Sequence, residues 1–319
     1  MGVYPWRGIV ADMPSLQSSS RRRMLQLAGA AAALPLLPAS RAFAAAAAAG
    51  AASSAAQSPA SVAAANPNTP GGRPLPLKIG VASYSLRSFS RERAIAALKE
   101  MGVQYVTIKD VHLARTDTPD VIRAGRKEFE DAGITIMGGG TLTWKQDVEA
   151  DIRKDFEYAK NAGFPLMVCS PAPETLDTVE KLAKEYDIKI AIHNHGTEDK
   201  WWPAPSDVLK RMEGRDPRMG VCMDIGHAVR ANADVVKAVA EAGPRLLDLH
   251  IKDLTDKTSR DSQVEVGKGV LDVAGVFKEL VRTKFSGHVS LEYEINAKDP
   301  VAGMKESLAY MRGLAAALA

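Results

Sequence analysis

The stretch KIAIHNHG at residues 189–196 decides the fold together with three counterparts: GVCMDIGH at 220–227, LLDLHIKD at 246–253 and HVSLEYE at 288–294. Each is an apolar run of strand length that carries a residue able to ligate a metal, and each is followed by a stretch of helical periodicity. They recur roughly every 30 to 40 residues, the length of a strand plus its returning helix. Such spacing is how a ring of parallel strands would deliver His, Asp, His and Glu to one end of a barrel.

The rest of the chain from residue 77 keeps the same alternation. Strands are predicted at 78–82, 105–109, 135–138, 166–170, 188–193, 218–224, 246–251 and 289–292. Helical patterns fall at 91–101, 119–132, 147–162, 175–186, 205–213, 234–242, 272–283 and 300–318. Eight strand–helix units in about 240 residues fit an α/β protein of the (β/α)8 TIM-barrel type. An open doubly wound sheet is the structural alternative, but no glycine-rich dinucleotide fingerprint follows the first strand.

Residues 1–44 have a different character. Ser20, Arg21, Arg22, Arg23, Met24, Leu25 and Gln26 form a twin-arginine pattern, an apolar run follows at 25–37, and Ala42, Phe43 and Ala44 make a small-residue cleavage site. We read this as a Tat export signal, which places the protein in the periplasm or otherwise outside the cytoplasm. Residues 45–76 are rich in Ala, Ser, Pro and Gly, without apolar periodicity, and read as a flexible tether ahead of a barrel at 77–319. A formal net charge of +3 with 25% charged residues shows no basic face for nucleic acid. The only membrane association expected is through the export signal, and a homo-oligomer remains open. The two cysteines, Cys169 and Cys222, fall inside predicted strands and are expected to be reduced, buried and small.

Strand phase selects the side chains that face into the barrel, because successive residues alternate faces. With Ile190 and Ile192 facing the helices, His193 and His195 face inward; with Val221 and Met223 outward, Cys222 and Asp224 face inward. With Leu247, Leu249 and Ile251 outward, Asp248, His250 and Lys252 point in. With Val289, Leu291 and Tyr293 outward, Ser290, Glu292 and Glu294 point in. His193, Asp224, His250 and Glu292 thus share one phase at the carboxyl end of successive strands, where barrel enzymes keep their chemistry. Imidazole and carboxylate donors of this kind suit a divalent metal such as Mn, Zn, Mg or Co, with positions left for water or substrate. Phase cannot separate His193 from His195: either could be the ligand and the other a base.

The motifs IHNHG, CMDIGH, LHIKD and LEYE, with GVASYSL at 80–86 and GKGVLDV at 267–273, resemble the sugar phosphate isomerase/epimerase family of xylose isomerase-like barrels. The resemblance covers the chain from Lys78 onward. It implies a divalent metal held at the positions of His193, Asp224, His250 and Glu292, keto-sugar or polyol substrates bound through vicinal oxygens, and His227 touching a substrate oxygen. Many members carry Glu at the position of His193 and use it with the Glu at the position of Glu292 to move a proton between the faces of an enediolate. An imidazole here sets that two-carboxylate chemistry in question.

Around the same mouth, Lys109 and Lys252 are candidates for proton donation to an enolate oxygen, beside Glu292 and His193 as acid/base groups. His112, His195, Glu294 and the adjacent indoles of Trp201 and Trp202 are candidates for substrate contact, and Trp144 is a weaker one. The expected activity is isomerisation or epimerisation of an unphosphorylated keto sugar or polyol. The alternatives are a metal-dependent lyase or dehydratase acting on keto sugars or 3-keto-glycosides, a non-catalytic periplasmic sugar binder, and a metal-dependent nuclease, which shares the barrel but needs more zinc ligands and a basic face.

Overall fold

The structure, a computed structural model, describes residues 74–319. The twin-arginine segment and the tether up to residue 73 lie outside the described residues. Eight parallel strands close a barrel: β1 (Lys78–Ala82), β2 (Tyr105–Ile108), β3 (Thr135–Leu142), β4 (Leu166–Cys169), β5 (Lys189–His193), β6 (Met219–Asp224), β7 (Leu246–Ile251) and β10 (His288–Leu291). β10 pairs with both β1 and β7, which closes the ring. The two extra strands, β8 (Asp253–Leu254) and β9 (Gln263–Val264), form a short antiparallel hairpin beyond β7. The helices are α1 (Arg91–Glu100), α2 (Pro119–Asp131), α3 (Glu149–Ala162), α4 (Leu176–Tyr186), α5 (Pro205–Met212), α6 (Ile225–Arg230), α7 (Val235–Ala242), α8 (Val273–Arg282) and α9 (Val301–Ala317).

The sequence supplies the local signals for these elements. Ser90 caps α1 by accepting from Arg93 N, Asp234 caps α7 at Val236 and Lys237 N, and Asp272 caps α8 at Gly275 N. Pro119 opens α2, and Gly163 ends α3 at φ 71°, a conformation that costs glycine little. β3 runs four residues further than its apolar pattern suggests, through Gly138, Gly139 and Gly140. A Cβ on Gly139 would lie 2.0 Å from the Phe164 ring, so glycine is what lets that ring seat against the strand.

Ile190, Ile192, Val221, Met223, Leu249, Ile251, Val289 and Leu291 all join the large core that includes the helices, as strand phase predicts. Leu166, Val168, Ala191 and Cys222 form a separate small cluster that plugs the barrel. Leu247 corrects one expectation. A register shift pairs Val221 with Leu246 and Cys222 with Asp248, so Leu247 is the extra residue of a bulge and packs on the inner plug instead of facing the helices. Leu75, just ahead of β1, packs against the core. Among the described residues no helix is long and apolar enough to cross a membrane.

Candidate active site and metal centre

His193 ends β5, Asp224 ends β6, His250 lies one residue before the end of β7, and Glu292 follows β10 directly. One donor atom from each lies within 4.8 Å of the corresponding atoms of the others, and all four residues are buried. His193 Nε2 is 3.0 Å from His250 Nδ1 and 3.8 Å from Asp224 Oδ2, and His250 Nδ1 is 3.2 Å from Glu292 Oε2. Donors that each sit about 2.1 Å from a shared ion lie roughly 3 to 4 Å apart, so the quartet fits a small divalent cation.

Asp224 shows how the fold aims these donors. Its Oδ1 caps α6 by accepting from His227 N at 2.8 Å, which leaves Oδ2 directed at the other three groups. Asn194, next to His193 on the neighbouring strand, grips the Asp224 backbone from both sides, with Oδ1 accepting from its N–H and Nδ2 donating to its C=O. The Glu292 segment is clamped in a similar way. Gln263 on β9 donates to Glu292 O and accepts from Glu294 N, while Ser85 Oγ accepts from Tyr293 N. Cys222 also comes within reach of His193 and His250. Burial and the carboxylates of Asp248, Glu292 and Asp224 push its thiol up, away from the thiolate a metal requires. Both cysteines are free and buried.

Lys252 reaches the same centre. Its Nζ lies 3.0 Å from Asp224 Oδ2, 3.0 Å from Glu292 Oε2 and 2.8 Å from Glu294 Oε1, with only 6% of the side chain exposed. Gly226 makes room for it: a Cβ there would lie 2.6 Å from Lys252 Cγ. Burial opposes the charge on Lys252, but the three carboxylates outweigh burial and hold the ammonium protonated. Burial would likewise raise Glu292, yet Lys252 and His250 hold it well below the usual carboxylate range. Asp224 is pushed up by burial against the pull of Lys252. Against its own burial, the charge of Glu292 raises His250 to about 9. Burial holds His193 well below its ordinary value and His227 at about 3, so both imidazoles are neutral.

Above this centre opens a cleft of about 830 Å³ whose lining includes Lys109, His193, His195, Trp201, His227, Glu292 and Glu294. His195 Nδ1 lies 3.2 Å from Asp199 Oδ2, and the two rings of His193 and His195 approach to 4.3 Å between centroids. Lys109 follows β2 and holds its ammonium 5.2 Å from the centre of the Tyr84 ring. Three predicted groups go elsewhere. His112 is buried away from the cleft with Nδ1 3.0 Å from Ser83 Oγ, and Trp202 is fully buried with Nε1 donating to Pro171 O. Trp144 is also buried and donates to Asp155 Oδ2.

Sequence reading missed Asp199, Asn194 and Gln263. Asp199 lies beside His195 and also accepts from Trp201 N and Trp202 N through Oδ1, fixing the loop that carries both indoles. Its place four residues after an inward His was the available signal. Asn194 and Gln263 act across the fold and left none.

A closed parallel barrel with ligating side chains on its carboxyl rim defines a class of protein, and comparison identifies the family within that class. Residues 95–314 match the xylose isomerase-like TIM barrel family, and the chain belongs to it. It is 28% identical over 136 residues to the inosose dehydratase of Bacillus velezensis, a match spanning 37% of this chain and 45% of that enzyme. A crystal structure of a Parabacteroides distasonis protein is similar at 28% identity and TM-score 0.59, over 75% of this chain and 99% of that one. The 3-keto-D-glucoside 4-epimerase of E. coli shares the fold at 18% identity and TM-score 0.61, over 74% and 99% of the two chains.

Proposed function

We propose that the protein is an exported, divalent-metal-dependent enzyme that removes the proton next to the carbonyl of an unphosphorylated keto sugar or polyol-derived ketone, leading to isomerisation or epimerisation. The observation that carries this reading is the convergence of His193, Asp224, His250 and Glu292 donors within 4.8 Å of one another at the floor of an open cleft. A divalent ion held there would act as a Lewis acid toward the carbonyl and neighbouring hydroxyl oxygens. With His193 Nε2 turned to the ion's position, His195 becomes the group free to take the proton. The Asp199 carboxylate, 3.2 Å from Nδ1, favours the protonated form of that ring against its burial, as a group that takes up a proton requires. Lys252, held cationic beside the donors, stabilises negative charge developing on a substrate oxygen. His227 and Trp201 bound the space in which the sugar would lie.

A second reading, elimination from a keto sugar or 3-keto-glycoside, is favoured by His193 itself. The quartet contains no second Glu to return a proton from the opposite face, and loss of a β-substituent needs none. The partial likeness to a dehydratase supports the same reading. Incubating manganese-loaded protein with ketoses and 3-keto-glycosides in deuterated water separates the outcomes. Deuterium beside the carbonyl supports isomerisation or epimerisation, and a released aglycone or water supports elimination. No exchange and no release with any substrate would refute both.

A further inference from the structure

We infer that Arg230 is a positioning residue that fixes His227 as its neutral Nε2–H tautomer, so that this imidazole meets the substrate as a hydrogen-bond donor to a carbonyl or hydroxyl oxygen and takes no proton. The role toward substrate rests on the proposed function; the tautomer itself does not. His227 and Arg230 lie three residues apart on α6 and therefore on one face of it. Arg230 Nη2 lies 2.5 Å from His227 Nδ1 and 3.3 Å from His195 O, and Nη1 pairs with Glu198.

A guanidinium offers only N–H donors and keeps its charge at every accessible pH. The ring atom facing Nη2 must therefore be the bare, accepting nitrogen, because a proton on Nδ1 would set donor against donor beside a positive charge. With Nδ1 bare, the one proton of the ring sits on Nε2. That atom makes no hydrogen bond to a described residue and stays open to solvent, and His227 lines the cleft above the metal quartet. Its N–H is left to donate to an oxygen that enters the cleft, and a group that can only donate finds no partner there.

The guanidinium acts through His227, since its own contacts hold it in place. Its side chain is 5% exposed, and both terminal nitrogens are engaged. Gly196 gives it room: at φ 84°, a Cβ there would lie 2.8 Å from Nη2 and 2.9 Å from Glu198 Oε2. The glycine of IHNHG and the histidine of CMDIGH are thereby linked through one arginine. His227 N also donates to Asp224 Oδ1 at 2.8 Å, which ties the residue to the quartet. The ring of His195, 5.8 Å away between centroids, has the Asp199 carboxylate beside its Nδ1 instead. A cation at one Nδ1 and an anion at the other suit the two neighbouring imidazoles to opposite tasks.

The test is two-bond proton–nitrogen correlation spectroscopy of the metal-free full chain carrying ¹⁵N-histidine at neutral pH, with His227→Gln assigning the signal. Wild type should show His227 as Nε2–H. Arg230→Met should relax it to a mixture of both tautomers, as should Arg230→Gln, which keeps a polar group in case Met does not fold there. Manganese-loaded protein gives a second readout in the rate of proton exchange beside the carbonyl. Arg230→Met should lower kcat on the order of tenfold with KM nearly unchanged, but by less than about twofold where His227 is already Gln. An arginine that only supported the fold would cost the same in both backgrounds. The inference is overturned by an Nδ1–H or doubly protonated His227 in wild type, by a tautomer that both arginine variants leave unchanged, or by equal losses in the two backgrounds. The spectra need no turnover, so a protein that exchanges no substrate proton refutes the proposed activity and leaves this inference to stand or fall on the tautomer.

Discussion

Replacing Lys252 with Met should cost the metal-stripped protein far more than any other single charge removal near the centre. The thioether keeps most of the stem but removes the cation from Asp224 and Glu292, each 3.0 Å from Nζ. Glu294 is 36% exposed and stays solvated, so the loss falls on the two buried carboxylates. Taking one partner from a buried ion pair costs about 3 to 5 kcal/mol. At roughly 2 to 4 °C per kcal/mol for a domain of this size, the melting temperature should drop by about 6 to 20 °C. The sign of the pH dependence also follows. In the wild type the folded value of Glu292 is depressed, so its contribution is present above the ordinary carboxylate range and lost as pH falls through the folded value. In Lys252→Met the cation that opposes burial of Asp224 is gone, so Asp224 rises further while His250 still lowers Glu292, and the deficit is full at neutral pH and shrinks on acidification toward pH 5 as Asp224 takes a proton. Thermal unfolding followed by circular dichroism at pH 8, 7, 6 and 5, with chelator or with manganese, reads each part. A cation shared by the quartet should recover much of the deficit. A neutral-pH loss below about 1 kcal/mol, or one equal at every pH, would refute the reasoning.

Two further outcomes test the ligands and the base. His250 is held protonated up to about 9 by Glu292, and ligation must expel that proton, so apparent metal affinity should climb by up to about tenfold per pH unit between roughly 6.5 and 9. The same proton stabilises the stripped fold below about pH 6.5 and is lost as pH rises through about 9, so competition with a chromophoric chelator and melting curves should move in opposite directions; an affinity flat with pH removes His250 from the ligand set. Asp199→Asn keeps an oxygen for Trp201 and Trp202 N–H but removes the carboxylate charge that favours a proton on His195, so kcat should fall on the order of 10²-fold with metal affinity and stability nearly unchanged; an unchanged kcat excludes His195 as the base.

The ring of strands and the four donors were legible because both depend on period-two alternation, which the chain writes in its apolar residues. His193, Asp224, His250 and Glu292 needed only phase and strand ends to be placed. Phase failed where the backbone departs from regular pairing: the bulge opposite Val221 turns Leu247 inward, and one extra residue is invisible to alternation. Exposure of loop residues was equally hidden. Trp201 and Trp202 are adjacent, yet one lines the cleft and the other is buried on Pro171, because Asp199 folds the loop through contacts no periodic pattern records. His112 follows a strand end like the residues that converge at the rim, but Ser83 from the neighbouring strand end takes its ring. The β8–β9 hairpin, with two residues per strand, is too short for any periodic signal and still carries Gln263, which sets Glu292.

Charge ties these pieces into one device. Lys252 and protonated His250 are set against the carboxylates of Asp224 and Glu292, with Asp248, raised to about 7 by burial, behind His250 and with His193 and His227 neutral. Such a set can be buried at tolerable cost. A dication bound at the expense of one proton from His250 would leave the same buried volume richer by one positive charge. In the proposed reaction the proton beside the carbonyl would pass to His195, so negative charge would grow on the oxygen nearest this excess and positive charge on the outer imidazole, an arrangement that favours the transition state over the bound ketone. A Glu at position 193 would cancel the excess before the reaction began. Under the proposed function, the imidazole there would strengthen oxyanion stabilisation while withdrawing a second carboxylate base, which would favour outcomes requiring a single proton abstraction.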